Sequence, residues 1–415
     1  MQSTKLDIPF QQWAPGAFIS RSDRPLCLYV HIPFCRHRCL FCPFYRYATH
    51  AGFSAEYAEL LLKEIALTAD ALGKERHQRR VDAVYFGGGT PSDLSGTDLA
   101  AVIESLRSQF SIDSETEITV EGRIRGFTSE KVEAWRKAGA NRVSIGLQST
   151  DTAFRRRLGR LADRKEILET LHAAKNSGVI LVADLIYGLP GQTSEMIAED
   201  IRFLAEESPV DGLDLYALKA FADSPLLQQI DRGRLPPLPG TVDRAQLFRR
   251  ASVDLDQFGF EHFTRQHWRR EPGERSLYNR LAKGDSDILP FGSAAGGRIG
   301  PITLMQEPTM ESYRKQVLAN EKPVHARSRS QPISEREQFA QTLSHAVEHR
   351  QLPPLKAWPK TPNLALEDLI LNWRYAGLLT AVPECCHTPI SLSSAGSYWA
   401  LHLRDLALKA CFPES

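Results

Sequence analysis

Three cysteines, Cys35, Cys39 and Cys42, stand at CxxxCxxC spacing within residues 29–45, Tyr-Val-His-Ile-Pro-Phe-Cys-Arg-His-Arg-Cys-Leu-Phe-Cys-Pro-Phe-Tyr. A closed structural zinc or iron–sulfur site takes four protein ligands. No fourth cysteine or second CxxC lies nearby, so one metal position is left open. If the centre is a 4Fe-4S cluster, the uncovered iron can bind a small chelating molecule and pass it an electron. Three buried structural cysteines, or an incomplete zinc knuckle, would show the same spacing. His37 lies inside the loop and could serve as a fourth ligand; with Arg36 and Arg38 on either side it reads as an exposed basic-loop residue.

The elements that must position this loop follow from hydrophobic pattern. An apolar run, 26–32, leads directly into the cysteines, and the next two hundred residues alternate short apolar runs with amphipathic segments, the pattern of a parallel βα array. Strands are predicted at 26–32, 81–87, 117–122, 142–147, 179–186 and 212–218. Helices are predicted at Ser54–Leu72, Thr97–Gln109, Ser129–Ala138, Arg164–Ser177 and Ser194–Glu207. Six βα units make an open, partial barrel. Ligands of such folds gather at the carboxyl ends of the strands, and there this chain places Phe86-Gly-Gly-Gly-Thr-Pro91, Glu121, Gln148 and Asp184. The glycines let backbone approach a ligand closely. Taken singly, each polar residue would serve equally well as a helix cap or a satisfied core group.

Taken together, these segments resemble the radical S-adenosylmethionine (SAM) superfamily. In that family the open iron takes the amino and carboxylate groups of SAM, and electron transfer into the sulfonium yields a 5'-deoxyadenosyl radical. The resemblance makes Cys35, Cys39 and Cys42 ligands of a 4Fe-4S cluster and matches Phe41 to the aromatic that packs on adenine. The chain further resembles the oxygen-independent coproporphyrinogen oxidase (HemN-type) family, whose SAM contacts match Tyr29, Gly88, Gly89, Thr90, Glu121, Gln148, Asp184 and Ala217. Arg160, in Arg-Leu-Gly-Arg, matches an arginine used there on a second SAM, so two SAM molecules are implied.

A chain of 415 residues exceeds one compact core of ordinary size. The fold expected is α/β: a leader (1–24), a (βα)6 radical SAM core (25–235), a substrate-side extension (236–325), and a small, mainly helical HemN-like C-terminal domain (326–415). Arg234–Pro239 reads as a linker ahead of a helix at Val242–Phe258, and residues 325–335 as a flexible connection. Phe291-Gly-Ser-Ala-Ala-Gly-Gly297 resembles the segment that closes over the second SAM, with Gly296 where those enzymes carry a bulky aliphatic. Leu392 to Trp399 keeps the Leu-x-x-x-Gly-x-x-Trp ending of the C-terminal domain.

Lys+Arg 51 against Asp+Glu 50 leaves +1, so no global field draws nucleic acid or a membrane surface. No run approaches the ~20 apolar residues of a membrane span, and no apolar signal-peptide core opens the chain. Of seven cysteines, four are scattered and form no disulfide framework; Cys27 and Cys411 read as buried small apolar groups, and the adjacent Cys385 and Cys386 as structural. A cytoplasmic protein is expected.

His267-Trp-Arg-Arg270 and Glu274-Arg-Ser-Leu-Tyr-Asn279 are closest to anaerobic heme-degrading radical SAM methyltransferases. That resemblance implies a methyltransferase opening heme to a linear tetrapyrrole; by side-chain chemistry His267 is a candidate contact for heme iron or propionate, Arg269, Arg270 and Arg275 for propionates, and Tyr278 a candidate proton or hydrogen donor. The expected partners are heme or another aromatic small molecule as substrate, and flavodoxin or ferredoxin as electron donor. Methylation of a non-heme sp2 carbon, decarboxylation of coproporphyrinogen, and heme carriage without catalysis are the competing readings. The N-terminus does not show the aromatic, arginine-rich leader of the coproporphyrinogen oxidases. The heme carriers continue from the third cysteine into Asp-Phe, where this chain has Pro43-Phe44-Tyr45.

Overall fold

The computed structural model describes residues 3–6, 8–44, 46–329, 333–359, 365–381 and 385–412, the side chains of 3, 329 and 365–367 excepted. Six strands, β1 (Leu26–Ile32), β2 (Ala83–Gly88), β3 (Glu117–Gly122), β4 (Arg142–Gln148), β5 (Ile180–Tyr187) and β6 (Gly212–Ala217), lie side by side in chain order and all parallel. Helices α1 (Phe53–Leu72), α2 (Gly96–Gln109), α3 (Ser129–Ala138), α4 (Arg164–Asn176), α5 (Ser194–Glu206) and α6 (Thr241–Gln257) follow them. The strands read as unbroken apolar runs because parallel strands are covered on both faces. Along β1, Leu26, Leu28, Val30 and Ile32 join the core shared with the helices, whereas Cys27 and Tyr29 face a separate interior cluster with Ala83 and Tyr278. This alternation sends every second side chain into a lumen between the strands.

The helices begin where the chain supplies caps. Ser95, Thr128, Asp163 and Thr193 each accept a hydrogen bond from the backbone N–H three residues on, which satisfies a donor the first turn would leave orphaned. Asp163 and Glu166 form a full capping box.

The sheet does not end with the six strands. β7 (His267–Arg269) runs antiparallel against β6. β8 (Asp287–Phe291) pairs parallel to β1, and β9 (Gly296–Ile299), β10 (Ile302–Gln306) and β11 (Val324–Arg329) extend that side antiparallel. The extension beyond residue 236 thus belongs to the same sheet. Val324–Arg329 is strand rather than the flexible connection expected for 325–335, because it pairs with both Ile302–Gln306 and Ser3–Lys5; residues 330–332 lie outside those described.

The leader, read as aperiodic, holds a helix at Phe10–Ile19 whose Phe10, Ala14 and Phe18 enter the main core. Their four-residue spacing is helical, over a segment too short to stand out. The C-terminal part has its own core, with Phe339, Leu343, Trp358, Trp373, Leu392 and Leu403, built on α7 (Glu335–Glu348), α8 (Ala365–Tyr375) and α9 (Ser394–Cys411). Among the described residues no helix is long and apolar enough to cross a membrane.

Candidate active site

β1 delivers the chain into the cysteine loop. Cys35 and Cys39 are buried and Cys42 half-buried. The loop is stitched to its surroundings: Leu40 N–H donates to Leu158 O at 3.2 Å, Leu226 N–H to Leu40 O at 3.1 Å, and Arg36 N–H to Asp93 Oδ2 at 2.9 Å. Gly159, at φ +83°, packs under Arg38, whose carbonyl oxygen would lie 3.0 Å from any Cβ placed there. Two donors point at sulfur. Thr90 Oγ1–H reaches Cys35 Sγ at 3.1 Å, and the Arg123 guanidinium reaches Cys39 Sγ. Burial pushes the Cys35 thiol up on balance, and the Thr90 hydrogen bond and the Arg123 charge oppose that rise, acting toward the thiolate a metal needs. Among the described residues no three His, Cys, Asp or Glu side chains close on a single ion. A cubane asks for something else, one thiolate on each of several irons.

The glycine segment lies against this loop. Gly89 N–H donates to Ile32 O at 2.7 Å. Gly88 has φ +106°, and a Cβ there would run into the His31 ring. The Glu121 carboxylate faces the same glycines from β3 and accepts a hydrogen bond from Tyr85. A bulge between Gly146 and Gln148 shifts the register of β4, and Gln148 takes φ +73°. That conformation costs a non-glycine residue roughly 1–3 kcal/mol. It accompanies a bond from Arg160 Nη1 to Gly146 O at 3.1 Å, and Arg160 also sits 5.8 Å over the Phe41 ring. Asp184 accepts from Ser144 Oγ at 2.8 Å. Tyr29 Oη lies 2.9 Å from His31 Nδ1. The buried His31 Nε2, Gln148 Oε1 and Arg160 Nε have no hydrogen-bond partner among the described residues, so the lumen presents polar atoms suited to a polar guest.

The acids crowd together. Burial and the neighbouring Asp214 and Glu121 push Asp184 up to about 8, and burial raises Glu121 as well. Burial holds His31 near 4 and therefore neutral. The phenols of Tyr29, Tyr85 and Tyr278 are all raised by burial and stay protonated.

The structure thus brings together Tyr29, Cys35, Cys39, Phe41, Gly88, Gly89, Thr90, Glu121, Gln148 and Arg160, with Cys42 in the same loop, and Asp184 and Ala217 follow on β5 and β6. Tyr278 enters the lumen from below, stacked 4.4 Å from Tyr85 and 6.1 Å from Tyr29. His267, expected at heme iron or propionate, does not join this group. Its Nδ1 lies 3.1 Å from Asp214 and its Nε2 3.2 Å from Glu274, which in turn pairs with Arg142 at 2.9 Å. Despite burial, these two carboxylates raise His267 to about 9. Two flanking carboxylates favour the protonated imidazole, the form that has no lone pair for iron.

Arg269, Arg270 and Arg275 are likewise committed. They donate to Glu261, to the carbonyls of Ala205, Ser208 and Val210, and to Glu115 O. Glu117, Arg142 and Gly212 begin their strands, so residues 270–282 run across the amino-terminal ends, opposite the cysteine loop. Sequence reasoning passed over His31, Tyr85, Ser144, Asp214 and Arg142. Their signal was alternation inside strands already recognised.

The Radical SAM superfamily model matches residues 29–204. The chain is 35% identical over 395 residues to anaerobilin synthase of Escherichia coli O157:H7, covering 95% of this chain and 86% of that one. It is 30% identical over 309 residues to an oxygen-independent coproporphyrinogen III oxidase of Salmonella typhimurium, covering 71% and 66%. The solved structure of coproporphyrinogen III oxidase (HemN) from Escherichia coli superposes with a TM-score of 0.76 at 22% identity, over 96% of this chain and 93% of that one. That family implies a 4Fe-4S cluster and SAM, and the three cysteines with their sulfur-directed donors fit them. The chain is a radical SAM enzyme and belongs to the HemN-like family.

Proposed function

We propose that the chain is a SAM-dependent C-methyltransferase acting on a tetrapyrrole, with heme as substrate, ring opening as outcome and iron as a released product. The observation that carries this reading is the 35% identity to anaerobilin synthase over nearly the whole chain, against 71% coverage by the coproporphyrinogen oxidase. Once bound, cluster and SAM supply the one-electron chemistry that side chains cannot perform.

The chain's own groups do the rest. Cys35, Cys39 and Cys42 hold the cluster, with Thr90 donating a hydrogen bond to the Cys35 sulfur and the Arg123 guanidinium offsetting the charge at Cys39. Gly88, Gly89, Glu121 and Gln148 receive the amino acid part of SAM, Phe41 its adenine, and Tyr29, Asp184 and Ala217 the remaining polar edge. Arg160, buried beside Phe41, takes the carboxylate of a second SAM by a charge-assisted bond. Tyr278 and Tyr85, both protonated inside the lumen, are the groups able to return a proton to product. A flavodoxin or ferredoxin supplies electrons.

The test is anaerobic incubation of the reconstituted protein with SAM, heme and a low-potential reductant. A methylated open-chain tetrapyrrole is expected. Heme recovered unchanged but bound would replace catalysis with carriage.

A further inference from the structure

We infer that Tyr57 is a positioning residue for the SAM site: its hydroxyl, mounted beside the buried Glu64, fixes the peptide at which β1 runs into the cysteine loop. The inference rests on the cluster and SAM assignment above.

The need arises where β8 stops. Successive carbonyls of a strand point to opposite neighbours. Pro25 O accepts from Asp287 N–H on the β8 side and Ile32 O from Gly89 N–H on the β2 side, so His31 O faces β8. The pairing of β8 with β1 ends at Phe291, opposite Val30, and the next residue, Gly292, sends its N–H to Glu64 Oε2 at 2.8 Å instead. A buried carbonyl left there without a donor would be costly. Tyr57 Oη–H reaches His31 O from α1 at 2.8 Å, and the same oxygen accepts Ser293 N–H at 3.0 Å. One hydroxyl replaces the missing rung. The turn comes this close because Gly292, at φ +89°, has no Cβ; one would stand 2.5 Å from His31 O and 2.6 Å from Tyr57 Oη.

The hydroxyl is held from behind. Tyr57 and Glu64 lie two turns apart on one face of α1. Glu64 is fully buried and accepts from Gln306 Nε2 at 2.9 Å, from Tyr313 Oη at 2.6 Å and from Lys322 Nζ, besides Gly292 N–H. All four donors come from the chain after β8, so this network clamps α1 to the sheet extension. A buried polar network with its members satisfied is rigid.

What it holds lies at the chemistry. The Tyr57 ring packs edge-on to Phe34, the neighbour of Cys35, with centroids 5.3 Å apart. The His31 ring lies against Gly88, with Nδ1 2.9 Å from Tyr29 Oη, and a Cβ on Gly89 would stand 2.5 Å from Phe34 O. Residues 31–34 therefore set the spacing between the cysteine loop and the glycine segment, the two elements that must share SAM. Misplacing a reacting group by about 1 Å can cost roughly 10²-fold.

Tyr57→Phe tests this by keeping the ring and removing the hydroxyl. SAM is titrated into the cluster-loaded enzyme by equilibrium dialysis, and by the change it makes in the electron paramagnetic resonance of the reduced cluster. The variant should carry the wild-type brown absorbance, need roughly tenfold more SAM in both titrations, and show a similar rise in KM for 5'-deoxyadenosine formation. Tyr313→Phe takes a hydroxyl from the same carboxylate without touching His31. It should lower the thermal midpoint and leave SAM binding within about twofold. Tyr57→Phe with wild-type SAM binding overturns the proposal. So does equal weakening in both variants, since a loosened core would then explain it. A wild-type cluster whose resonance ignores SAM refutes the underlying assignment instead, and this role with it.

Discussion

At the scale of single residues the lumen is a problem in charge. Asp184, pushed up to about 8 by burial and by Asp214 and Glu121, keeps its proton in the folded chain at pH values where an unfolded aspartate has lost it. Stability from this group is therefore fully present below about pH 4 and drains away as pH rises through about 8. His267 has the same sign for the opposite reason: its folded value of about 9 means stability present below about 6.5 is lost as pH passes 9. Thermal midpoints of the SAM-free protein should fall progressively from about pH 4 to pH 9, Asp184 acting between about 4 and 8 and His267 between about 6.5 and 9, and Asp184→Asn should remove the lower part only. A variant with an unaltered profile would disprove the assignment. Cys39→Ala should abolish both the brown chromophore and 5'-deoxyadenosine formation. Glu121 and Gln148 were legible as candidates because each stands at the end of an apolar run, and Asp184 because it is the one acid within its run, Ile180–Tyr187. Tyr85, Ser144 and Asp214 were not, since a polar residue in mid-strand reads as a solvent face until the strand is known to border a lumen.

At the scale of elements, two joints are open to test. Gly88 is held at φ +106° against the His31 ring, so Gly88→Ala adds a steric collision to backbone strain of about 1–3 kcal/mol. SAM affinity by equilibrium dialysis should collapse while Gly16→Ala, with nothing near its Cβ, binds normally. The Glu274–Arg142–His267 group ties the segment after β7 to the start of β4. Glu274→Ala strands the buried Arg142 and leaves His267 with Asp214 alone, and should cost roughly 3–5 kcal/mol in urea unfolding; a loss below about 1 kcal/mol would show that water or neighbouring groups already support Arg142. The six parallel strands were readable to within two residues because their runs are continuous and their caps explicit. The placement of His267 was not, because it depends on a three-residue antiparallel strand far too short for periodicity to reveal.

At the scale of the whole molecule, the C-terminal part is tethered by few bonds. Glu348 receives Arg265 at 3.3 Å and Lys283 at 2.5 Å, and Arg350 donates to His262 O at 2.5 Å. Glu348→Ala should speed limited proteolysis between 329 and 335 without changing the cluster absorbance, as read by gel and spectrum. Equal digestion of both proteins would mean that apolar packing alone seats this part. The segment at 270–282 carries one last implication. With Glu274, Leu277 and Tyr278 lodged under the strands, that end of the lumen is filled by the chain's own side chains, and the traffic of cosubstrate and substrate falls to the end that carries the cysteine loop.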